Sequence, residues 1–560
     1  MTSNIEFKTT ENPAVIRKLY LLCGTEWSGL LTPEKFADKV TKTHIEYVKN
    51  GGKVISYYLE DTTTEEIVAC TFVRYSKAFY KPADKSSAIS SIPDPSLFGV
   101  HNITGLLVSF VFVHPDYRKK GLAELCVSKA IETTEEAIIK EKLDSSDDAV
   151  VDNFKKMSII DGSEEVDKQL ANYYLSKEYI WYLYSGVNTY YERFGFKSYP
   201  LDFYEIPKSL LTEHTESVLN KLIENSNQGK TGSHHPEHTG KKLKFLYGDN
   251  EADQEIIQFI LQNKELNIVT EINKLVFHSE LQSDRKSSTS LTNMSSILAM
   301  SKLGSNTALS SITESTTTQQ PNSPVGGGGS SLGLGRRKSS VHNQTTPKFA
   351  IKPTYLDYQW NTLFENNYFE DADETVKKNI NIQGAIVTNE LQQRSYYILW
   401  GFLKGQFYII GMGEIQFQGI PSVSNGGSRR RASSLSGINE LGGFNFQDLE
   451  ILIYVAIQNA KNRNSKIEKI YVSVNDLPEE IPDPVMFDFF TNYLPASSQA
   501  SIETPSDESI TKIESSVFKV ELNTNAAKRD IGVLPMVKKF GSKKIDFDLD
   551  WESNGMWCWG

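Results

Sequence analysis

The chain has 560 residues, which is too long for a single domain with one hydrophobic core. Of these residues 39% are hydrophobic, which is enough for two or three globular domains. Its net charge of −11 argues against nucleic acid and anionic membranes as partners, because phosphate groups require a basic face. No apolar run approaches the roughly 18 residues of a membrane span, and the first residues lack the pattern of a secretory signal. We therefore expect a cytoplasmic protein that binds neither membranes nor nucleic acid.

The four cysteines are scattered along the chain, as Cys23, Cys70, Cys126 and Cys558. They form no CxxC pair and no spacing typical of metal ligands. We therefore expect free thiols that serve as small buried apolar groups in a reducing compartment, and no metal site.

Residues 1–210 predict a first α/β domain with a mixed sheet. A hydrophobic period of about 3.6 residues marks helices, and apolar–polar alternation marks strands. In chain order, these patterns predict a helix over Pro33–Val48, strands over Val54–Leu59, Ile67–Arg74 and Gly105–Val113, a helix over Leu122–Ile139, a strand over Tyr179–Leu183, a helix over Ser185–Phe194 and a last strand over Phe196–Tyr204. The third of these strands is almost wholly apolar, which suits burial on both faces.

A second α/β domain is predicted over residues 243–560, after a linker at 211–242. It repeats the strand, strand, helix, strand order of the first domain, with strands over Ile382–Val387, Tyr396–Leu403 and Gln406–Phe417, a helix over Phe446–Ala460 and a strand over Ile470–Val474. Three inserts at 279–346, 421–443 and 496–509 contain too little apolar surface to offset their ordering entropy, so we expect them to be disordered. Ser339 and Ser433 follow basic residues in two of these inserts and resemble kinase sites, which makes a kinase a candidate partner.

The most informative local pattern lies in the turn between the predicted strand Gly105–Val113 and the helix that follows it. This turn contains Arg118-x-x-Gly121-x-Ala123. Glycine lets a ligand approach the backbone closely. The first amides of a helix have no internal partners, so together with the helix dipole they favour an anion such as a pyrophosphate. The pattern is short enough to occur by chance, and it gains weight from the strand before it and the helix after it.

A second motif, Tyr190-Tyr-Glu-Arg-Phe-Gly-Phe196, follows at the end of the predicted helix Ser185–Phe194. In this order the two motifs resemble the GNAT superfamily of acetyltransferases, which implies acetyl-CoA as cosubstrate and direct transfer to an amine. The residues that the resemblance assigns to the CoA pyrophosphate are Arg118, Lys119, Lys120, Gly121, Leu122 and Ala123.

The same resemblance implies roles for the preceding strand and for the tyrosines. Phe112 and Val113 would pair with the pantetheine chain through their backbone. Tyr191, or Tyr190 as the alternative, would protonate the departing thiolate, and a phenol with a pKa of ~10 is suited to that role.

A narrower resemblance, to the fungal L-lysine acetyltransferases, covers most of the chain. It rests on Glu26-Trp-Ser-Gly-Leu-Leu-Thr-Pro-Glu34, Val68-Ala-Cys-Thr-Phe-Val-Arg74, Leu183-Tyr-Ser-Gly-Val-Asn-Thr-Tyr-Tyr191 and the tail from Asp548 to Gly560. The resemblance implies a GNAT-type N-terminal domain, a degenerate GNAT-like C-terminal domain and acetylation of the ε-amine of free L-lysine at the start of its degradation. The chain departs from the family at Thr71 and Gly186, where the family has acidic residues.

The base that removes the proton from the amine stays open at this stage. Glu26 is preferred as base or amine-binding residue, and His101, Asp116 and water are the alternatives. The lysine carboxylate requires a cation, for which Arg74 and Arg193 are candidates.

Two other functions are consistent with these motifs. Acetylation of a protein lysine or of an N-terminal amine would require an open groove for a peptide. A non-catalytic acetyl-CoA sensor or scaffold would use the serine-rich insert to bind a partner. The retained Gly121, Ala123 and Tyr191 favour an enzyme over a sensor.

Overall fold

The structure is a computed structural model that describes residues 4–29, 31–82, 100–144, 168–228, 240–284, 346–403, 405–415, 446–501, 515–524, 533–545 and 547–558. The strands in these residues are β1 Ile5–Thr10, β2 Lys53–Asp61, β3 Glu66–Lys81, β4 His101–Val113, β5 Tyr179–Ser185, β6 Lys197–Ser198, β7 Phe203–Pro207, β8 Lys241–Tyr247, β9 Lys348–Ile351, β10 Ile382–Asn389, β11 Arg394–Leu403, β12 Gln406–Glu414, β13 Lys469–Ser473, β14 Glu521–Asn523, β15 Leu534–Lys539 and β16 Asp550–Trp551. The helices are α1 Pro13–Trp27, α2 Pro33–Lys49, α3 Leu122–Asp144, α4 Lys168–Leu175, α5 Glu213–Asn227, α6 Glu251–Asp284, α7 Tyr355–Tyr368, α8 Glu374–Asn381, α9 Phe446–Arg463, α10 Asp483–Asp488 and α11 Leu494–Ala500.

The first sheet is mixed and has the strand order β1-β2-β3-β4-β5-β15-β6. Strands β1 to β4 are antiparallel neighbours, whereas β4 and β5 are parallel and are connected through a crossover that contains α3. β9 pairs with the end of β3, and β16 pairs with β9. The predicted mixed α/β fold is confirmed.

The second sheet repeats this arrangement in the order β14-β7-β13-β12-β11-β10-β8. β10, β11 and β12 are antiparallel, and β12 is parallel to β13, which follows the helix α9. In each sheet, four adjacent antiparallel strands are therefore followed by a crossover helix and a strand parallel to the last of them. The strand order that the hydrophobic patterns predict for the second half is confirmed.

Each sheet also includes strands from the other predicted domain: β9, β15 and β16 in the first sheet and β7 in the second. β7 lies between β14 and β13 of the second sheet, and β15 lies between β5 and β6 of the first. All strands belong to one compact unit, residues 1–273, 345–419 and 445–560. Of a second unit, residues 274–344 and 420–444, the structure describes only the helical backbone of 274–284. The division into domains 1–210 and 243–560 stays a prediction.

Two predicted elements before β8 are wrong in detail. The segment Phe196–Tyr204 is not one strand, because Lys197–Ser198 joins the first sheet and Phe203–Pro207 the second. Pro200 lies between them and cannot donate a ladder hydrogen bond. The helix predicted over Ser185–Phe194 is a 3₁₀ helix over Asn188–Phe194, which ends at Gly195 with φ +89°.

The predicted disordered inserts lie mostly outside the described residues. This holds for 285–345 of the first insert, for all of 421–443 and for 502–509 of the third, and therefore also for Ser339 and Ser433. Residues 279–284 belong to α6 and 496–500 to α11, so the prediction of disorder is wrong at these two ends. Both ends continue helices that begin in well-packed segments, and a helix adds residues more readily than it starts.

Helices α1 and α2 cover one face of the first sheet. Each has a proline at its start and an N-cap side chain, Asn12 or Thr32, that accepts a hydrogen bond from the first turn. Their apolar faces pack on Phe72 of β3 in a common cluster. Cys23, Cys70 and Cys126 are free and buried, which confirms the predicted use of these three thiols as core groups.

Candidate active site

Strand β4 carries a bulge near its end. The pairing register shifts between Cys70 and Phe72 of β3, so that Phe110 and Val111 of β4 stand opposite the single residue Thr71. Phe110 has φ +49°, in the left-handed region that side chains other than glycine rarely adopt. Bulges of this kind turn backbone groups out of the ladder and are common beside active sites.

Beyond Leu107, β4 and β5 separate. Their parallel pairing covers Thr104–Leu107 against Tyr179–Tyr182, after which β5 continues alongside β15. Within the described residues, the edge of β4 over 108–113 that faces away from β3 has no strand partner. Such an edge can bind an extended chain by strand addition. Phe112 and Val113, predicted to contact pantetheine, lie at the end of this edge.

The turn after β4 presents its backbone to solvent. Lys119 and Gly121 have φ +62° and +78°, and a Cβ atom added to Gly121 would meet none of the described atoms within 4 Å. The first α3 bond joins the Leu125 amide to the Gly121 carbonyl at 3.0 Å, so the helical amides before it have no acceptor in the helix. The six residues Arg118–Ala123 therefore lie together at the positive end of α3, where an anion is stabilised.

The structure brings Glu26 to this turn. Its Oε1 atom lies 2.7 Å from Nη2 of Arg118, and the two side chains are 41% and 43% exposed. Arg118 also donates from Nε to the Val113 carbonyl at 3.2 Å, and its guanidinium lies 5.4 Å from the centre of the Phe112 ring. An exposed ion pair adds little to stability, so its main effect is to orient Arg118 over the end of β4.

Tyr191 lies on the 3₁₀ helix that follows β5. It is 8% exposed and packs in the core cluster that includes Val108 of β4. Burial, together with the neighbouring Tyr190, raises the pKa of the Tyr191 phenol above its usual value. Tyr191 therefore keeps its proton at neutral pH, as a proton donor must. Tyr190 is half-buried, with the Arg193 guanidinium 4.3 Å from its ring centre.

The other candidate bases and cations differ in their exposure to solvent. His101 is exposed at the start of β4, and the Asp116 side chain is 85% exposed beside His114. Arg193 is exposed and lies 3.5 Å from Glu124. Arg74, by contrast, is buried on β3, with its guanidinium between the rings of Tyr47 from α2 and Trp360 from α7.

Sequence reasoning missed two features of this region. The bulge at Phe110 has no sequence signal, because no glycine marks it. Asp357, at the start of α7, lies 4.0 Å from Arg74 although the two residues are far apart in the chain. No local pattern relates them, and only the folded structure brings them together.

In the part of the chain that the structure describes, no group of three or more His, Cys, Asp or Glu residues is arranged to hold a metal ion. No helix among the same residues combines the length and the apolar character that crossing a membrane requires.

Comparisons with known proteins give likenesses at the level of structure. No protein-family model and no curated protein sequence matches the chain. A GCN5-related N-acetyltransferase from Kribbella flavida is 8% identical, with 95% of this chain and 71% of that chain covered and a TM-score of 0.30. A GCN5-related N-acetyltransferase from Sphaerobacter thermophilus is 8% identical, with 96% of each chain covered and a TM-score of 0.32. The N-myristoyltransferase of Saccharomyces cerevisiae with bound myristoyl-CoA is 9% identical, with 97% and 84% covered and a TM-score of 0.30. TM-scores this low do not establish a common fold.

Proposed function

We propose that this protein is an acetyl-CoA-dependent N-acetyltransferase with a GNAT-type site on β4, and that it acetylates the ε-amine of free L-lysine. The observation that carries the proposal is the arrangement of three features within one strand–turn–helix unit. The open edge of β4, the bulge at Phe110 and the exposed turn Arg118–Ala123 follow one another along the chain, each suited to a different part of one elongated ligand.

The site fits acetyl-CoA in charge and in shape. The amides at the start of α3 and the cations Lys119 and Lys120 suit the pyrophosphate. The pantetheine arm contains amide groups, and the unpaired edge of β4 over 108–113 offers complementary backbone groups. We infer that Glu26 holds Arg118 in place beside the phosphates, a positioning role that differs from the base expected from the sequence.

Acetyl-CoA would supply an activated thioester, and the protein would supply orientation and proton transfer. Backbone amides at the bulge of β4 would stabilise the oxygen that gains charge as the amine attacks. The buried phenol of Tyr191 would give its proton to the sulfur as it leaves. With Glu26 assigned to Arg118, the candidates for removal of the amine proton are His101, Asp116 and water.

Free lysine is proposed as the acceptor on the resemblance of the segments around Glu26, Arg74 and Tyr191 to the fungal lysine acetyltransferases. Each of these segments lies on the first sheet or on the helices beside it. Acetylation of a protein lysine or of an N-terminal amine is the alternative.

The test is product analysis by mass spectrometry. The purified full chain is incubated with acetyl-CoA and, in parallel, with L-lysine, a lysine-containing peptide, spermidine or other amino acids. We expect Nε-acetyl-lysine from the free amino acid and little product from the peptide. Acetylation of the peptide alone would contradict the proposed acceptor, and the absence of any acetylated amine would contradict the enzymatic function.

A further inference from the structure

A buried cation lies one strand away from the proposed reaction site. Arg74 is on β3, and its side chain is 4% exposed. Its Nε and Nη1 atoms have no hydrogen-bond partner among the described residues. A guanidinium is always charged, and leaving its donors unpaired away from water is costly. Arg74 makes a side-chain hydrogen bond with Tyr182, and its Nε and Nη1 groups are left to bind an anion.

The nearest opposite charge is too distant to satisfy these donors. Oδ1 of Asp357 lies 4.0 Å from Nε of Arg74, beyond hydrogen-bond distance. That oxygen instead accepts hydrogen bonds from the Tyr47 hydroxyl at 3.1 Å and the Ser76 hydroxyl at 3.3 Å. Asp357 is thus fixed in place by other groups, and it balances the charge of Arg74 without occupying its N–H edge.

Aromatic rings enclose the guanidinium. Its central carbon lies 5.6 Å from the centre of the Tyr47 ring and 5.2 Å from that of Trp360. The Tyr182 hydroxyl donates to Ser76 at 3.0 Å, which anchors the wall formed by β5. The two rings, which are nearly perpendicular to each other, shield the guanidinium from water. The unpaired Nε and Nη1 groups of its planar fork suit a carboxylate.

The position of Arg74 in the sheet suits an amino acid that reaches the bulge. Arg74 pairs with Leu107, the last residue of β4 that is paired with β5. Thr71, opposite the bulge, lies three residues earlier on β3, a distance of about 10 Å along the strand. An extended lysine side chain can bring its amine from Arg74 toward the bulge.

We propose that Arg74 and Asp357 form the binding site for the head group of the acceptor amino acid, with the α-carboxylate on Arg74 and the α-ammonium facing Asp357. This inference rests on the proposed function. The two fixed charges cancel, so the site matches a zwitterion better than a simple anion or a polyamine. It would also select the ε-amine for acetylation, because the α-amine would lie at Asp357 while the side chain extends toward the bulge.

The test compares L-lysine with cadaverine, which keeps both amines but lacks the carboxylate. We expect the wild-type protein to prefer lysine in kcat/KM by about 100-fold, as a buried charge-assisted pair implies. Arg74→Met should reduce this preference to within about threefold by lowering the rate with lysine alone. Arg74→Lys, which keeps the charge but loses the fork, should give an intermediate preference. Arg17→Met, at an arginine of α1 whose side chain is 40% exposed, is the matched control.

A second measurement tests the head-group site independently of the proposed enzymatic function. Calorimetric titration of L-lysine in the presence of CoA reports binding without turnover. Lysine that binds to the wild type but not to Arg74→Met supports the head-group site even if no amine is acetylated.

Several outcomes would overturn the head-group site. One is the failure of lysine to bind to the wild type. Another is a folded Arg74→Met protein in which kcat/KM falls equally with lysine and with cadaverine. Acetylation of lysine that is unchanged in Arg74→Met, or lost on replacement of Arg193 instead, overturns the site and leaves the proposed function intact. Should Arg74→Met fail to fold, equal rates of the wild type with lysine and cadaverine would still overturn it.

Discussion

Replacing Gly121 with valine is expected to weaken acetyl-CoA binding by about 100-fold, which corresponds to about 2.7 kcal/mol. Gly121 has φ +78°, and the space beside its Cα is open in the structure. The open space is where the proposed pyrophosphate would approach the backbone, so a branched side chain would occupy the ligand's place. Calorimetric titration of acetyl-CoA into the full chain measures the effect.

Gly51 offers a matched control for this substitution. It lies in the turn after α2, has φ +95°, and a Cβ added there would also meet none of the described atoms within 4 Å. Valine at either position should cost about 1–3 kcal/mol in backbone strain. If Gly51→Val weakens acetyl-CoA binding as much as Gly121→Val does, the effect is one of general stability, and the turn is not the phosphate site.

The second large effect is expected at Tyr191. Removing its hydroxyl in Tyr191→Phe should lower kcat by about 100-fold, the lower end of what a positioned acid contributes. KM for acetyl-CoA should change little, because the buried ring and its packing against Phe194 and Phe196 are retained. Steady-state rates with L-lysine and acetyl-CoA measure this split between kcat and KM.

Tyr190→Phe is the control for Tyr191, since the two rings are adjacent, with centres 5.2 Å apart. Tyr190 is more exposed, and its loss should leave kcat within about threefold of the wild type. The reverse result, a large fall in kcat for Tyr190→Phe and none for Tyr191→Phe, would assign the proton-donor role to Tyr190. Equal small losses in both would assign the leaving-group proton to water.

The elements that the sequence predicts well are those whose signals are local. The predicted limits of β2, β4 and α9 lie within about four residues of the observed ones, whereas β3 continues beyond the predicted Arg74 to Lys81. The turn Arg118–Ala123 was predicted because a strand, a glycine and a helix follow one another directly. In these segments, the residues that decide the structure are also neighbours in the chain.

The features that the sequence did not predict depend on distant parts of the chain. β15 pairs with β5, and β7 with β13, although hundreds of residues separate the partners. The sequence indicates Glu26 as a functional residue, but it does not predict the ion pair of Glu26 with Arg118. The same holds for Arg74 and Asp357, because charge and burial at one position depend on which helix packs against the sheet.

The most direct test of the proposed cofactor site is hydrogen exchange of the full chain with and without saturating acetyl-CoA, followed by mass spectrometry of its peptides. The geometry predicts slower exchange in peptides covering residues 108–124, where the open edge of β4 and the first amides of α3 would gain hydrogen bonds. Peptides of β10 and β11 in the second sheet should exchange at unchanged rates and serve as the internal control. Unchanged exchange over 108–124 in the presence of bound acetyl-CoA, or protection confined to the second sheet, would contradict the assignment of the site.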